Sequence, residues 1–417
     1  MDGGHEDAGW GRGGGDRRRF LFLQGPISPF FPELAMALRS AGHAVHRINL
    51  CLGDRLVWRI PGAVDFRGPL GEWPDFVESF LDAHAITDLV LTGEQRIYHR
   101  VAISAAAARG VRVTATDFGY IRPDWVILER DGHNALSRYP RDRAGIRALA
   151  EGAPPLDEAR RFPDAFPRQA FWDVAYHVAN LLPWPFRHFE THIPHAVIPA
   201  YLGMAWRLLR RRARQRHAEQ LIADLPEDAP LYLFAMQMEM DFSLRAYSPY
   251  DDLDTPMREA VASFARHAPA HAHLAFKVHP LDPGLKRWPK RVARMARREG
   301  VAGRVHLLDG GGLDALILRS AGLLTVNSTA ALRALQLGKP VLALSEAIYR
   351  AEGLHHERGL DAFWIEAHPP DAELVDAFLR GLAHHLHVRG GYYHPLGRAA
   401  AVAAAAERLA SARVGVG

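Results

Sequence analysis

The residues best suited to chemistry stand where apolar runs give way to polar side chains. "TDFGYIRPDW" holds Asp117, a carboxylate at the end of the run "VRVTA". A carboxylate so placed can be a nucleophile, a general base or a plain turn aspartate. Gly119 permits a tight turn or the close approach of a ligand. Tyr120 and Arg122 are placed to contact a substrate. "GEQRIYHR", Gly93 to Arg100, closes a neighbouring run. Its Glu94 is the reserve carboxylate. Its Arg96, His99 and Arg100 suit an acid or a hydroxyl-rich sugar, with a solvated helix start as the plainer alternative.

Two further stretches suit an anion. In "AFKVHPLDPG", Pro280 restricts His279 and would hold its imidazole in one direction, and Lys277 stands two residues earlier on the same strand face. In "TVNSTAALRAL", Asn327, Ser328 and Thr329 open a helix, where exposed backbone N–H groups either are capped by a hydroxyl or hold a phosphate. Gln24 and Gly25 end the first apolar run, and Gln237 ends a later one, so they join the candidate contacts.

Other signals are discounted. Asp252-Leu253-Asp254 matches a metal-binding DxD pattern but sits in an acidic turn before a helix, and is read as capping. The pairs His271/His273 and His355/His356 lack a third ligand, so no metal is expected. "DGGGLD" has neither the GxGxxG spacing nor a P-loop lysine. "RRRARQR" is basic without a nucleic-acid fold around it, so no nucleic-acid partner is expected.

These candidates need elements to position them. "RFLFLQGP", "FPELAMALRSAGHAV" and "VHRINL" read as strand, helix and strand, the opening of a parallel α/β sheet. "ITDLVLTG" and "VRVTATDFG" extend it, giving an N-terminal α/β domain over residues 20–140. Alternation resumes at "PLYLFAMQ" and runs through "HLAFKVHP", "RVHLLDG", "GLLTVNS" and "KPVLALS", a C-terminal α/β domain over 226–390. The segment 141–225 reads instead as kinked helices rich in Pro, Trp, Phe, His and Arg. Residues 391–417 read as a terminal helix, and 1–19, Gly-rich and charged, as a disordered tail without the apolar core of a signal peptide. The fold class is α/β: two doubly wound, Rossmann-like domains facing a cleft, with a helical bridge, the shape of many sugar-nucleotide transferases. In such sheets ligands sit at the carboxyl ends of strands, where the candidates are.

The totals agree. At 417 residues, two domains are the default. A net charge of +4 weakly favours anionic partners. Cys51, the one cysteine, excludes an internal disulfide and suits the cytoplasm. No run approaches the ~18 apolar residues of a spanning helix. In the bridge, Phe171, Trp172, Trp184, Phe186 and Trp206, with the cations from Arg207 to Arg216, have the composition of a helix lying on anionic lipid or of an ordinary packed helix pair.

Taken together, "FLQGPISPFFPELAMALRSAGHAVHRINLCLGDRLVW", "GEQRIYHR", "FGYIRPDWVILE", "AMQMEMDFSLRAYSPY", "KVHPLDPG" and "TVNSTAALRALQLGKPVLAL" resemble the capsule polysaccharide biosynthesis and export family, over roughly residues 20 to 350 in order. The likeness is strongest to its single-transferase β-Kdo members, Kdo being 3-deoxy-D-manno-octulosonic acid. The resemblance implies a GT-B-like fold, a CMP-Kdo donor and a (lyso)phosphatidylglycerol-type acceptor on the inner leaflet. It also implies contacts with a second Kdo transferase and the capsule exporter. It implies that His279 and the Ser328-Thr329 helix start hold the CMP phosphate without a divalent metal. Many relatives have two adjacent acids before Gly-Tyr; this chain has Asp117-Phe118, and Asp117 is taken as the catalytic acid. The rival readings are a UDP-sugar transferase or epimerase and a non-catalytic scaffold of the exporter.

Overall fold

A computed structural model describes residues 17–416 except 183, 192–196 and 240. Most of the tail expected over 1–19 lies outside the described residues. Its last two residues belong to the fold: Arg18 is buried on Asp88, and Arg19 opens the first strand.

The first sheet holds β1 (Arg19–Phe22), β2 (Ala44–Asn49), β3 (Val64–Asp65), β4 (Asp88–Thr92), β5 (Arg112–Phe118) and β6 (Trp125–Arg130). Phe20 and Phe22 enter the core on one face of β1, while Leu21 and Leu23 enter the other. Such two-sided burial is why the parallel strands read as continuous apolar runs. β5 and β6 form an antiparallel hairpin that carries Asp117-Phe118 to its rim.

The second sheet is wholly parallel: β7 (Leu231–Ala235), β8 (His273–Lys277), β9 (Val305–Leu308), β10 (Gly322–Thr325) and β11 (Val341–Ala343), in the order β11-β10-β7-β8-β9. The alternation predicted this architecture of two α/β units.

The chain does not end where the sequence put it. After the second sheet it returns to the first as β12 (His387–Arg389), antiparallel to β6, so the order there is β12-β6-β5-β4-β1-β2-β3. The helix Pro395–Ala410 then covers that sheet, with Ala401, Val402 and Leu409 joining Phe20, Phe22 and Phe30 in one core. The second unit therefore stops short of residue 390, and the terminal helix belongs to the first unit.

The bridge also divides. Ile146 and Ala150, on the helix Arg143–Ala150, and Ala218, on the helix Arg211–Ala223, pack into the second core. The helices Phe166–Ala179 and Val197–Leu209 between them pair through Tyr201, whose hydroxyl donates to Asp173 Oδ2 at 2.6 Å.

Candidate active site

Asp117 ends β5 with its side chain 43% exposed; its own Oδ1 accepts the Phe118 N–H at 2.7 Å. Behind it lies His133, three residues past β6. One imidazole nitrogen, Nε2, stands 3.4 Å from Asp117 Oδ2, and the other, Nδ1, 3.0 Å from Glu94 Oε2. Burial pushes the His133 imidazole toward neutrality, but the two carboxylates outweigh it and hold its pKa well above the ordinary value. Burial likewise pushes the Asp117 carboxyl up, and the His133 imidazolium, the Phe118 N–H and Arg122 together bring it below the usual carboxylate range. The result is an acid–imidazolium–acid array. Its outer carboxylate meets solvent, whereas the inner one, Glu94, is only 1% exposed. Of the two carboxylates singled out in the sequence, Asp117 alone can touch a substrate in this conformation.

The elements that hold the array are local. Gly119 donates its N–H to the Trp125 carbonyl at 2.8 Å, and glycine is required there because a Cβ would stand 2.6 Å from Trp125 Cβ. It closes the hairpin. Tyr120 faces inward: its hydroxyl donates to Glu129 Oε2 at 3.1 Å and accepts the Asn134 N–H. Its own N–H donates to His387 Nε2 at 2.9 Å, so β12 fixes the turn. Glu129 is a buried acid that burial raises to about 7. Asn134, at φ 57°, turns the chain just after His133, and its Oδ1 accepts the Ile348 N–H of the second unit at 3.0 Å.

Several other candidate contacts are buried on partners within the fold. Gln24 is buried, with its amide on Tyr176 Oη at 3.0 Å and Asp54 Oδ1 at 3.4 Å. Gly25 leaves no room for a Cβ, which would meet the Phe31 ring at 2.3 Å. His99 is wholly buried against the Gly93 carbonyl at 2.9 Å. Arg100 is exposed on its helix, and Arg96 is half-buried at the start of that helix.

Across the cleft, His279 is half-buried after β8. Its Nδ1 accepts the Leu281 N–H at 3.1 Å, which leaves the proton of the neutral ring on Nε2. Burial, aided by Lys277, Arg122 and Arg207, lowers it to about 4 against the pull of Asp282, so the ring is neutral at pH 7. Pro280 beside it is exposed. Lys277 is buried, Nζ donating to the Val278 carbonyl at 3.3 Å, in a cluster where Asp309 takes both guanidinium nitrogens of Arg207 at 2.8 Å and also pairs with Arg214. Gln237, at the end of β7, clasps Asn327, at the end of β10, reciprocally at 2.8 and 3.0 Å. Ser328 Oγ accepts the Ala330 N–H at 3.2 Å, and Thr329 caps nothing with its side chain. β7 lies between β8 and β10, so His279 and Ser328 rise from strands about 10 Å apart.

The walls meet through charge. Arg122, its guanidinium over the Phe118 ring at 5.0 Å, is felt by both Asp117 and His279. Asp241, beyond β7, is felt by Arg122 and in turn feels Asp117. Tyr392 and Tyr393 of the returning segment stand beside the same carboxylate.

Asp252 Oδ1 accepts the Thr255 N–H at 3.0 Å, the capping role expected of that acidic turn, and Asp254 is tied to Lys286 and Arg291 at 2.7 and 2.8 Å. Among the described residues no cluster of His, Cys, Asp and Glu has the arrangement of a metal site.

The family of capsule polysaccharide biosynthesis proteins matches residues 87–393, a span that takes in both walls of the cleft and the returning strand. The chain belongs to that family. It is similar to the capsule polysaccharide export protein KpsS of Escherichia coli, 28% identical over 381 residues that cover 90% of this chain and 97% of that protein. It is also similar to the capsule polysaccharide modification protein LipB of Neisseria meningitidis serogroup A, 28% identical over 386 residues, 89% of this chain and 91% of LipB. Among solved structures, the β-Kdo 2,7 transferase KpsC of Thermosulfurimonas dismutans aligns over 95% of this chain and 99% of its own at 12% identity, with a TM-score of 0.45.

Proposed function

We propose that this chain is a retaining glycosyltransferase that moves β-Kdo from CMP-β-Kdo to a (lyso)phosphatidylglycerol-type acceptor at the inner face of the bacterial inner membrane, starting a capsular polysaccharide linker. The observation that carries the reading is the Asp117–His133–Glu94 array, with Arg122 acting on both Asp117 and His279.

Donor and product are both β-linked in this reading, and retention follows most simply from two displacements. Asp117, held ionised by His133, attacks the anomeric carbon as the bond to the CMP phosphate oxygen breaks and that oxygen keeps the electron pair. The His279 Nε2–H donates to the phosphate, with the backbone N–H groups after Ser328 alongside. The acceptor hydroxyl then attacks the same carbon, Asp117 leaves as a carboxylate, and the hydroxyl proton passes to a base. Asp241, whose carboxyl burial raises and which Asp117 influences through charge, is the candidate for that base. Arg122, between Asp117 and His279, suits the carboxylate of an acidic sugar. A CMP-sugar has one phosphate and a good leaving group, so the scheme asks for no divalent metal. A second Kdo transferase and the exporter are the partners this reading implies.

The test is incubation with CMP-Kdo and short-chain lipid acceptors, read by mass spectrometry, beside thermal shifts with CMP and UDP in EDTA. Transfer of one Kdo, with stabilisation by CMP and not UDP, is the expected result. Stabilisation by UDP alone would overturn the donor. CMP binding without release of CMP from the donor, whatever the acceptor, would favour the scaffold.

A further inference from the structure

The paired helices Phe166–Ala179 and Val197–Leu209 each dock on a different unit. Tyr176 and Asn180 bind the first unit at Gln24, Cys51, Gly53 and Asp54. Gly203 and Arg207 bind the second: a Cβ on Gly203 would lie 2.0 Å from the Pro283 carbonyl oxygen, and Arg207 holds Asp309. At 100° per residue, Phe171, Val174 and Val178 lie roughly opposite Tyr176 on one helix, and Leu202, Trp206 and Leu209 flank the docked side of the other. All six are exposed, Leu209 by 81%. A contiguous apolar face of this kind marks an interaction surface.

Its rim identifies the occupant. Arg210 stacks on Trp206 with its guanidinium 4.2 Å from the ring centroid, and Arg211, Arg212 and Arg216 are exposed beyond it. Apolar side chains edged by an indole and a run of arginines match a bilayer, with acyl chains below and anionic phosphates above. The face also reaches the donor side of the cleft. Leu281 and Leu285 are exposed on the loop that follows His279, and that loop rests on Gly203 and Arg207 through Pro283 and Gly284.

We propose that this two-helix face docks on an anionic phospholipid bilayer and that docking sets the His279-Pro280 loop, so that nucleotide binds more tightly at the membrane than in solution. This rests on the donor reading above for the identity of the nucleotide, but not for the docking.

The test uses the full chain with vesicles of phosphatidylglycerol and phosphatidylcholine at 3:7, and with pure phosphatidylcholine, in 0.15 M salt. The variants are Leu202→Glu/Trp206→Glu/Leu209→Glu and Arg210→Gln/Arg211→Gln/Arg212→Gln. The parent should float with the anionic vesicles, each triple variant at least tenfold less, and high salt should release the parent. Calorimetric CMP affinity should rise severalfold on anionic vesicles for the parent and stay at its solution value for the variants. Flotation of the Glu variant equal to the parent's would overturn the docking. A Glu variant that changes only oligomeric state would also overturn it, by making the face a contact between copies. Docking with no gain in CMP affinity would overturn the coupling. Absence of CMP binding anywhere, with flotation intact, would fail the donor reading and leave the docking standing.

Discussion

At the scale of the residue, the site depends on which carboxylate meets solvent. Asp117→Asn keeps shape and removes charge; it should fold, bind CMP, and lose transfer by at least about a hundredfold, the low end for a lost acid–base group. Near-parental transfer by this variant would remove Asp117 from the chemistry. Glu94 acts through His133, so Glu94→Gln has a different signature. The His133 pKa is raised in the fold, so its charge is present at neutral pH and is lost as pH rises through that raised value. Parental kcat should therefore fall on the alkaline side, and in Glu94→Gln the fall should begin at lower pH. An unmoved alkaline limb would show that Glu94 is only packing. His279→Ala removes a donor to a charged acceptor and should weaken CMP by about 1.5–3 kcal/mol in calorimetry; unchanged affinity would exclude His279 from the donor site. Asp117 and His279 stand out in the sequence as candidates because each follows an apolar run. His133 does not: "RDGHN" reads as a turn, and only the hairpin brings its ring between two acids. Gln24, His99 and Tyr120 stand out for the same reason as Asp117 and His279 yet are buried on partners within the fold, since a polar residue at a strand end can equally bond inward.

At the scale of the element, the β5–β6 hairpin aims the array. Gly119→Ala would force the two strands apart at Trp125, and overpacking of this kind costs about 1–3 kcal/mol. Its Tm should drop, and transfer should fall more than CMP binding, because the donor wall lies on the other unit. A melt identical to the parent's would mean the hairpin gives way without strain. Parallel strands buried on both faces were readable as apolar runs. β12 was not, because three residues, "HVR", carry no period, and their place is fixed only by β6. The basic bridge was read by composition, which cannot tell Arg207 and Arg214, spent on Asp309, from Arg210 to Arg212, which face solvent.

At the scale of the whole molecule, histidine burial sets the response to acid. Among the described residues, ten histidines have lowered pKa values, chiefly through burial: His43, His46, His177, His273, His279, His306, His355, His356, His384 and His387. Each takes its proton at lower pH in the fold than its unfolded counterpart does near 6.5, so as pH falls the unfolded chain binds more protons and stability falls with it. Denaturant midpoints should therefore decline from about pH 6.5 toward 4, the value to which His279 and His387 are lowered. A flat midpoint across that window would show that these sites open to water before the fold is lost. The two α/β units were visible in the sequence as two blocks of alternation; the crossing from the second back to the first was not, since nothing local distinguishes a helix that caps its own sheet from one that caps another. That crossing bears on how the protein is made. On the ribosome, the edge of β6 and the apolar bed formed by Phe20, Phe22 and Phe30 must wait for residues 387–410, which emerge only after the whole second sheet. The first unit is thus begun before the second and completed after it, and a chain stalled before residue 387 would present a bare strand edge and an uncovered aromatic core to the cell's chaperones and proteases.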